Sequence, residues 1–185
     1  MSLDYTNGCV NFRDVGEWVN LIAGNKLLKE KNLLRGGKLL HITDASEISF
    51  AKSIVNLRRG EDVGLGFLNT ELHHFPLPSG YERGHTHLPI VKKWLTDVIY
   101  AVAYEINDLP VLFHCTSGKD RTGIVIGVLL HIMNIPMEII IEEYLLSDGE
   151  VDKNELFFAL ENIKEPERYF KNIELNLINE KFREG

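Results

Sequence analysis

Cys115 and Arg121 are the two residues of this sequence with the most chemistry to offer. They stand in His114-Cys115-Thr116-Ser117-Gly118-Lys119-Asp120-Arg121-Thr122-Gly123. A cysteine thiolate is a strong nucleophile. A guanidinium can fork two hydrogen bonds onto two phosphate oxygens, which an ammonium cannot. Gly118 lets the backbone curl towards an anion with no Cβ in the way. A loop that leads into a helix start presents unpaired N–H groups to negative charge, which makes a phosphate seat. The same surroundings favour a thiolate over a thiol. Thr122 is spaced to donate its hydroxyl to that thiolate and help it leave. His114 is read as orienting the loop through hydrogen bonds to backbone carbonyls. Donors that bind phosphate in the ground state also stabilise a phosphoryl group in transfer.

Such a site needs a strand to carry the cysteine and a helix to receive the anion. Val111, Leu112 and Phe113 follow Pro110 and are apolar and β-prone, which predicts a buried strand ending at His114. Residues 122–133 are apolar nearly all round, which predicts a buried helix. Upstream, residues 9–40 read as short strands and turns. Ala23-Gly24-Asn25 is the turn between 18–22 and 26–28, and a strand over 32–35 is stopped by Gly36-Gly37. Thr43 or Asp44 caps a helix running to Lys52. Residues 53–57 read as a buried strand, 58–70 as a glycine-rich loop and 71–77 as a further strand. Apolar residues at Val91, Leu95, Val98, Ile99, Val102 and Ile106 predict a helix over 90–106. Pro136 ends the central helix, and helices over 137–146, 152–160 and 165–180 follow. Strands and helices alternate early and helices dominate late. That pattern predicts an α/β fold of three layers, a mostly parallel sheet flanked by helices. The length suits one domain, 1–185.

The loop resembles the catalytic loop of the cysteine-based phosphatases: His-Cys, five residues, Arg, then Ser or Thr. Its Gly-Lys-Asp-Arg-Thr most resembles the bacterial tyrosine/lipid phosphatase branch. Asn11-Phe12-Arg13-Asp14-Val15-Gly16 looks like that branch's opening motif. Leu34-Arg35-Gly36-Gly37-Lys38-Leu39 and Val55-Asn56-Leu57-Arg58 look like its next two landmarks. The resemblance implies the phosphatase fold, with the site at the carboxyl end of the cysteine's strand. It also implies two-step hydrolysis of a phosphomonoester without a metal or other cofactor. Cys115 attacks phosphorus. Arg121 and the loop Thr116, Ser117, Gly118, Lys119 and Asp120 hold the oxygens, and water clears the cysteinyl-phosphate. The substrate is a phosphotyrosine or other phosphoprotein; phosphoinositides and inositol phosphates are the alternative. A non-catalytic pseudophosphatase is the reading from another class, although such modules usually lose the Cys or the Arg.

The departing oxygen needs a proton. Commoner members of the family carry an aspartic acid in the loop upstream of the cysteine. Residues 78–89 contain none, and Glu82, His85 and His87 are the proton donors there. Asp120 matches the Asp-Arg-Thr of the myotubularin-type lipid phosphatases, and that resemblance implies a general acid. Glu82 is the alternative acid. The structural reading of Asp120 is a partner for Arg121 or Lys119. Lys119 reads either as the holder of a second phosphate or as a solvent-facing cation. Tyr81 or Phe75 could wall an aryl phosphate or belong to the core. Arg13, Asp14 and Arg35 read as structural, a buried ion pair beneath the site.

Composition narrows the field. The net charge of −7, with no basic run, argues against nucleic acid. Cys9 and Cys115 are the two cysteines, too few for a disulfide framework, so a reducing compartment such as the cytoplasm is expected. Cys9 reads as a packed or surface thiol. The first residues lack the apolar run of a signal peptide, and no stretch is apolar enough to span a membrane. His73-His74 and His85-Thr86-His87 lack carboxylate or thiolate partners at metal-site spacing. The pattern is silent on oligomeric state.

Overall fold

The computed structural model describes residues 3–6, 8–78 and 84–184. Within them, one sheet runs in the order β1-β2-β5-β3-β4. The strands are β1 (Arg13–Asp14), β2 (Leu33–Gly36), β3 (Ser53–Asn56), β4 (Glu71–His74) and β5 (Val111–His114). β1 pairs antiparallel with β2; every other pairing is parallel. Gly36 and Asn56 both pair with His114, so β2, β5 and β3 end level. Gly37, Cys115 and Leu57 therefore leave one edge of the sheet side by side.

Side chains alternate across a strand, and both faces here are covered. Leu33, Val55, Val111 and Phe113 enter a large core shared with the helices. Leu34, Ile54 and Leu112 enter a smaller core with Leu39, Ile42, Ile48, Leu65 and Leu68. β5 is buried on both faces, which is why it reads as an unbroken apolar run. The helices are α1 (Val15–Ala23), α2 (Pro89–Tyr104), α3 (Asp120–Ile132), α4 (Met137–Leu145), α5 (Lys153–Ile163), α6 (Pro166–Tyr169) and α7 (Asn176–Phe182). α3 packs against β5, α4, α5 and α7, so apolar residues occupy all its sides. Each fully buried Ile, Val or Leu of such a helix contributes about 1.5–3 kcal/mol, enough for α3 to anchor the loop that precedes it. The smaller face carries two 3₁₀ turns, Ala45–Ile48 and Gly66–Leu68. The expected α/β architecture, a mostly parallel sheet flanked by helices, is the one observed.

Three local expectations are corrected. Residues 18–28 do not form a hairpin. Asp14 Oδ1 accepts from Gly16 N at 3.0 Å and caps α1, which buries Val15 and Val19 and ends at Gly24 in the left-handed region. The helix expected from residue 44 to 52 is one 3₁₀ turn. Asp44 and Glu47 make a capping box, but Ser49 and Phe50 then take φ of 51° and 54° and stop it. The terminal helix over 165–180 is divided into α6 and α7, with Asn172 at φ 69° between them. Among the described residues, no helix is long and apolar enough to cross a membrane.

Candidate active site

Cys115 follows β5 directly and is 2% exposed. The loop after it is held by its carbonyls. Thr116 O accepts from Lys38 N at 3.0 Å, Ser117 O from Asn11 Nδ2 at 2.9 Å and Gly118 O from Arg35 Nη2 at 2.9 Å. Lys119 O accepts from Gly123 N at 2.5 Å as α3 begins. With the carbonyls tied to the surrounding protein, the amides of residues 116–119 donate to no described acceptor. Gly118 sits at φ 70°, and a Cβ there would meet Gly36 C at 2.5 Å. Only glycine fits that contact.

The support beneath the loop is a buried charge cluster. Glu143 of α4, 1% exposed, accepts from Arg13 Nε at 2.8 Å and from Arg35 Nη1 at 2.6 Å. Arg13 Nη2 also reaches Glu143 O and Ser147 Oγ. Burial, and then the charge of Arg35, pull Arg13 down to about 10, so it stays charged at neutral pH. Arg13 and Arg35 are structural as expected, but their carboxylate is Glu143, because Asp14 is committed to capping α1 and to Lys31 N at 2.6 Å. Glu143 was missed: its partners lie 130 and 108 residues away, and its helix carries two other glutamates.

The third wall comes from the end of β3. Leu57 O accepts from Arg121 Nη1 at 2.8 Å, and Arg121 Nη2 reaches Thr116 Oγ1 at 3.4 Å. Arg58 Nη1 pairs with Asp62 Oδ1 at 3.1 Å, and Asp62 Oδ2 lies 2.7 Å from His114 Nε2. His114 is therefore oriented by a carboxylate, where backbone carbonyls were expected. Thr122 Oγ1 and His114 Nδ1 are buried and have no hydrogen-bond partner among the described residues.

Beside the loop lies an open cavity of about 360 Å³ lined by Arg58, Arg59, Gly60, Leu77, Pro78, Thr116 and Arg121; the buried Cys115 is not among its lining residues. Phe75 lies outside it, in a neighbouring groove with Trp94. Lys119 lines a separate cavity with Leu3, Tyr5 and Gly149, and its Nζ donates to Glu150 O at 2.6 Å. Asp120 is the first residue of α3 and half-buried. Tyr81 and Glu82 lie outside the described residues. Cys9 is packed beneath Gly36, and its thiol donates to Gly37 O at 3.4 Å. Burial pushes that thiol up to about 12. Among the described residues, no three His, Cys, Asp or Glu side chains gather as metal ligands.

A cavity with ample room for a phosphate group beside a Cys-five-Arg loop, at the carboxyl edge of a mostly parallel sheet, is the layout of a cysteine-phosphatase type of site. The model of the tyrosine phosphatase family matches residues 5–175, and the chain belongs to that family. A tyrosine-protein phosphatase from Nostoc commune is 52% identical over 41 residues, which is 22% of this chain and 14% of that protein. The triple specificity protein phosphatase PtpB from Mycobacterium tuberculosis is 30% identical over 90 residues, 49% of this chain and 28% of that protein. The matched segments thus span under a third of either curated relative. The core catalytic domain of the PP-IP phosphatase SIW14 from S. cerevisiae superposes with a TM-score of 0.54. It is 20% identical, over 80% of this chain and 86% of that one, a likeness that shows the fold.

Proposed function

We propose that the chain is one catalytic domain that hydrolyses phosphomonoesters in two steps, on phosphotyrosine and other phosphoprotein substrates. The thiolate of Cys115 attacks phosphorus and the P–O bond to the leaving group breaks. Arg121 and the amides of Thr116, Ser117, Gly118, Lys119 and Asp120 receive the equatorial oxygens. Asp120 protonates the leaving oxygen and then takes a proton from the water that cleaves the cysteinyl-phosphate; Glu82 is the alternative acid. Thr122, with a buried hydroxyl that has no other partner among the described residues, donates to the thiolate as it departs. His114, fixed by Asp62, holds the end of β5 that presents the sulfur.

The observation that carries this reading is the set of loop carbonyls tied outward to Lys38, Asn11 and Arg35, beside a guanidinium fixed at Leu57 O. Donors arranged in this way are preorganised, so they need not reorganise as charge develops. The test is hydrolysis of para-nitrophenyl phosphate by the protein and by Cys115→Ser and Arg121→Lys. Turnover that vanadate inhibits competitively, survives a chelator and disappears in Cys115→Ser is expected. Full turnover by Cys115→Ser rejects the proposal. Binding of vanadate with no turnover by the unaltered protein supports the pseudophosphatase reading in its place.

A further inference from the structure

β4 leaves one side of the sheet open. It is the last strand in the order and pairs with β3 alone, and its Glu71, Leu72 and His74 are exposed. Glu71 N and Phe75 N donate inward, to Lys52 O and Asn56 O, at 2.9 Å each. Backbone groups along a strand change side with a period of two, so Leu72 and His74 turn their N–H and C=O outward. Leu72 is apolar and 52% exposed, and β4 contains no proline to block pairing. A cavity flanks each face of this edge. On the face of the smaller core, one of about 190 Å³ is lined by Ile54, Leu72, Glu61 and His74, among others. On the helix face, one of about 270 Å³ is lined by Phe75, Ile90, Trp94 and again His74. Pro78 lines both this second cavity and the one beside Arg121. The three cavities form a track from the edge of the sheet to Arg121.

We propose that β4 takes an extended segment of the phosphoprotein substrate as a further strand of the sheet. This rests on the phosphatase reading and gives a place to the polypeptide around the phosphate. Side chains of an added strand alternate between the two faces, as the two cavities do. One side chain enters the apolar cavity of Phe75, Ile90 and Trp94, so an aliphatic or aromatic residue suits it. The next meets Glu61, which is exposed and has neither a hydrogen bond nor an ion pair with any described residue, so Lys or Arg suits it. The net charge of −7 draws a basic segment towards this surface from further away. From His74, where β4 ends, the chain runs through Phe75, Pro76 and Leu77 to Pro78 at the catalytic cavity. At about 3.3 Å per residue that is a span of at most ~13 Å, so the phosphorylated residue belongs about four residues beyond the paired stretch. Main-chain pairing supplies the affinity and the two cavities supply the selectivity.

Binding is measured by calorimetry on Cys115→Ser, which leaves β4 intact whether or not the chain turns substrate over. The probes are peptides of alternating lysine and leucine with phosphotyrosine about four residues before or after the alternating stretch. One control carries proline within that stretch, and another has glutamate in place of lysine. In at least one orientation the probe should bind at least about tenfold more tightly than its proline control, the worth of one or two net main-chain hydrogen bonds. Leu72→Pro should erase that gain, because it removes an outward N–H and spares the ladder to β3. Glu61→Lys should reverse the preference for lysine over glutamate. Hydrolysis of para-nitrophenyl phosphate, which is too small to reach β4, should be unchanged by either substitution in the presence of Cys115, and it reports the fold. No gain in either orientation overturns the proposal, and so does a gain that survives in a folded Leu72→Pro. A dimer in sedimentation that Leu72→Pro dissolves also overturns it, since a second copy then occupies the edge. If Leu72→Pro does not fold, Glu61→Lys decides, and an unchanged lysine preference overturns the proposal. Absence of Cys115-dependent turnover on every monoester would fail the phosphatase reading alone and leave the binding ratios to judge the edge.

Discussion

Asp62 Oδ2 lies 2.7 Å from His114 Nε2, while Asp62 Oδ1 holds Arg58 at 3.1 Å. One carboxylate thus joins the residue before Cys115 to a wall of the cavity. A carboxylate only accepts, so Nε2 of His114 is the donor. Asp62→Ala should lower kcat and remove about 1–3 kcal/mol of stability, the cost of a stranded buried donor. Arg58→Ala, which spares His114, should raise KM more than it lowers kcat. Steady-state kinetics with urea unfolding checks both, and equal kcat for the protein and Asp62→Ala would count against the link.

Glu143 is the single carboxylate of a buried cluster containing Arg13 and Arg35. Glu143→Ala should cost about 3–5 kcal/mol, because two buried guanidinium groups lose their counter-charge. Glu143→Gln keeps the hydrogen bonds and should cost less. Since Arg35 also holds Gly118 O, vanadate affinity should fall in the same order. Unfolding midpoints for the two variants decide the point.

Cys9 supplies a pH signature. Its thiol ordinarily titrates near 9.0 and burial moves it to about 12. The folded state therefore keeps a proton that the unfolded chain releases. The contribution is full below pH 9.0 and is lost as pH rises through that window. Tyr169, also raised by burial, acts with the same sign at still higher pH. Cys9→Ala should flatten the fall in unfolding free energy above pH 9.0, and an identical slope in the variant would refute the assignment.

Asp120→Asn separates acid from architecture. If the carboxyl protonates the leaving group, the variant should lose most of its rate with alkyl phosphates and least with para-nitrophenyl phosphate. General acid catalysis commonly contributes about 10²–10⁴-fold. Rates that fall equally for both substrates would transfer the role to Glu82.

The central strand, loop and helix were legible because residue type, spacing and periodicity agree there. Pro110 precedes an apolar run, Gly118 interrupts it, and the helix is apolar on every side because α4, α5 and α7 surround it. The other landmarks were visible as motifs, and their tasks needed coordinates. Asn11 bonds Ser117 O, Arg35 bonds Gly118 O and Leu57 O bonds Arg121. Each contact spans 64 or more residues, which no local pattern encodes. α1 was misread because Gly24 serves equally as a hairpin turn and a helix terminus, and only the Asp14 cap separates the two. Arg59 was passed over as part of a loop, since nothing in sequence says that it faces the same cavity as Arg121.

The seat for the anion is fastened from four distant places: Asn11, Arg35, Lys38 and, through Arg35, Glu143. A nascent chain on the ribosome can form β5 and α3 before α4 has emerged, yet Arg35 has no counter-ion until it does. On the proposed function, the seat cannot be completed until α4 has emerged, and a translating polysome should carry no phosphatase activity from chains that stop short of α4.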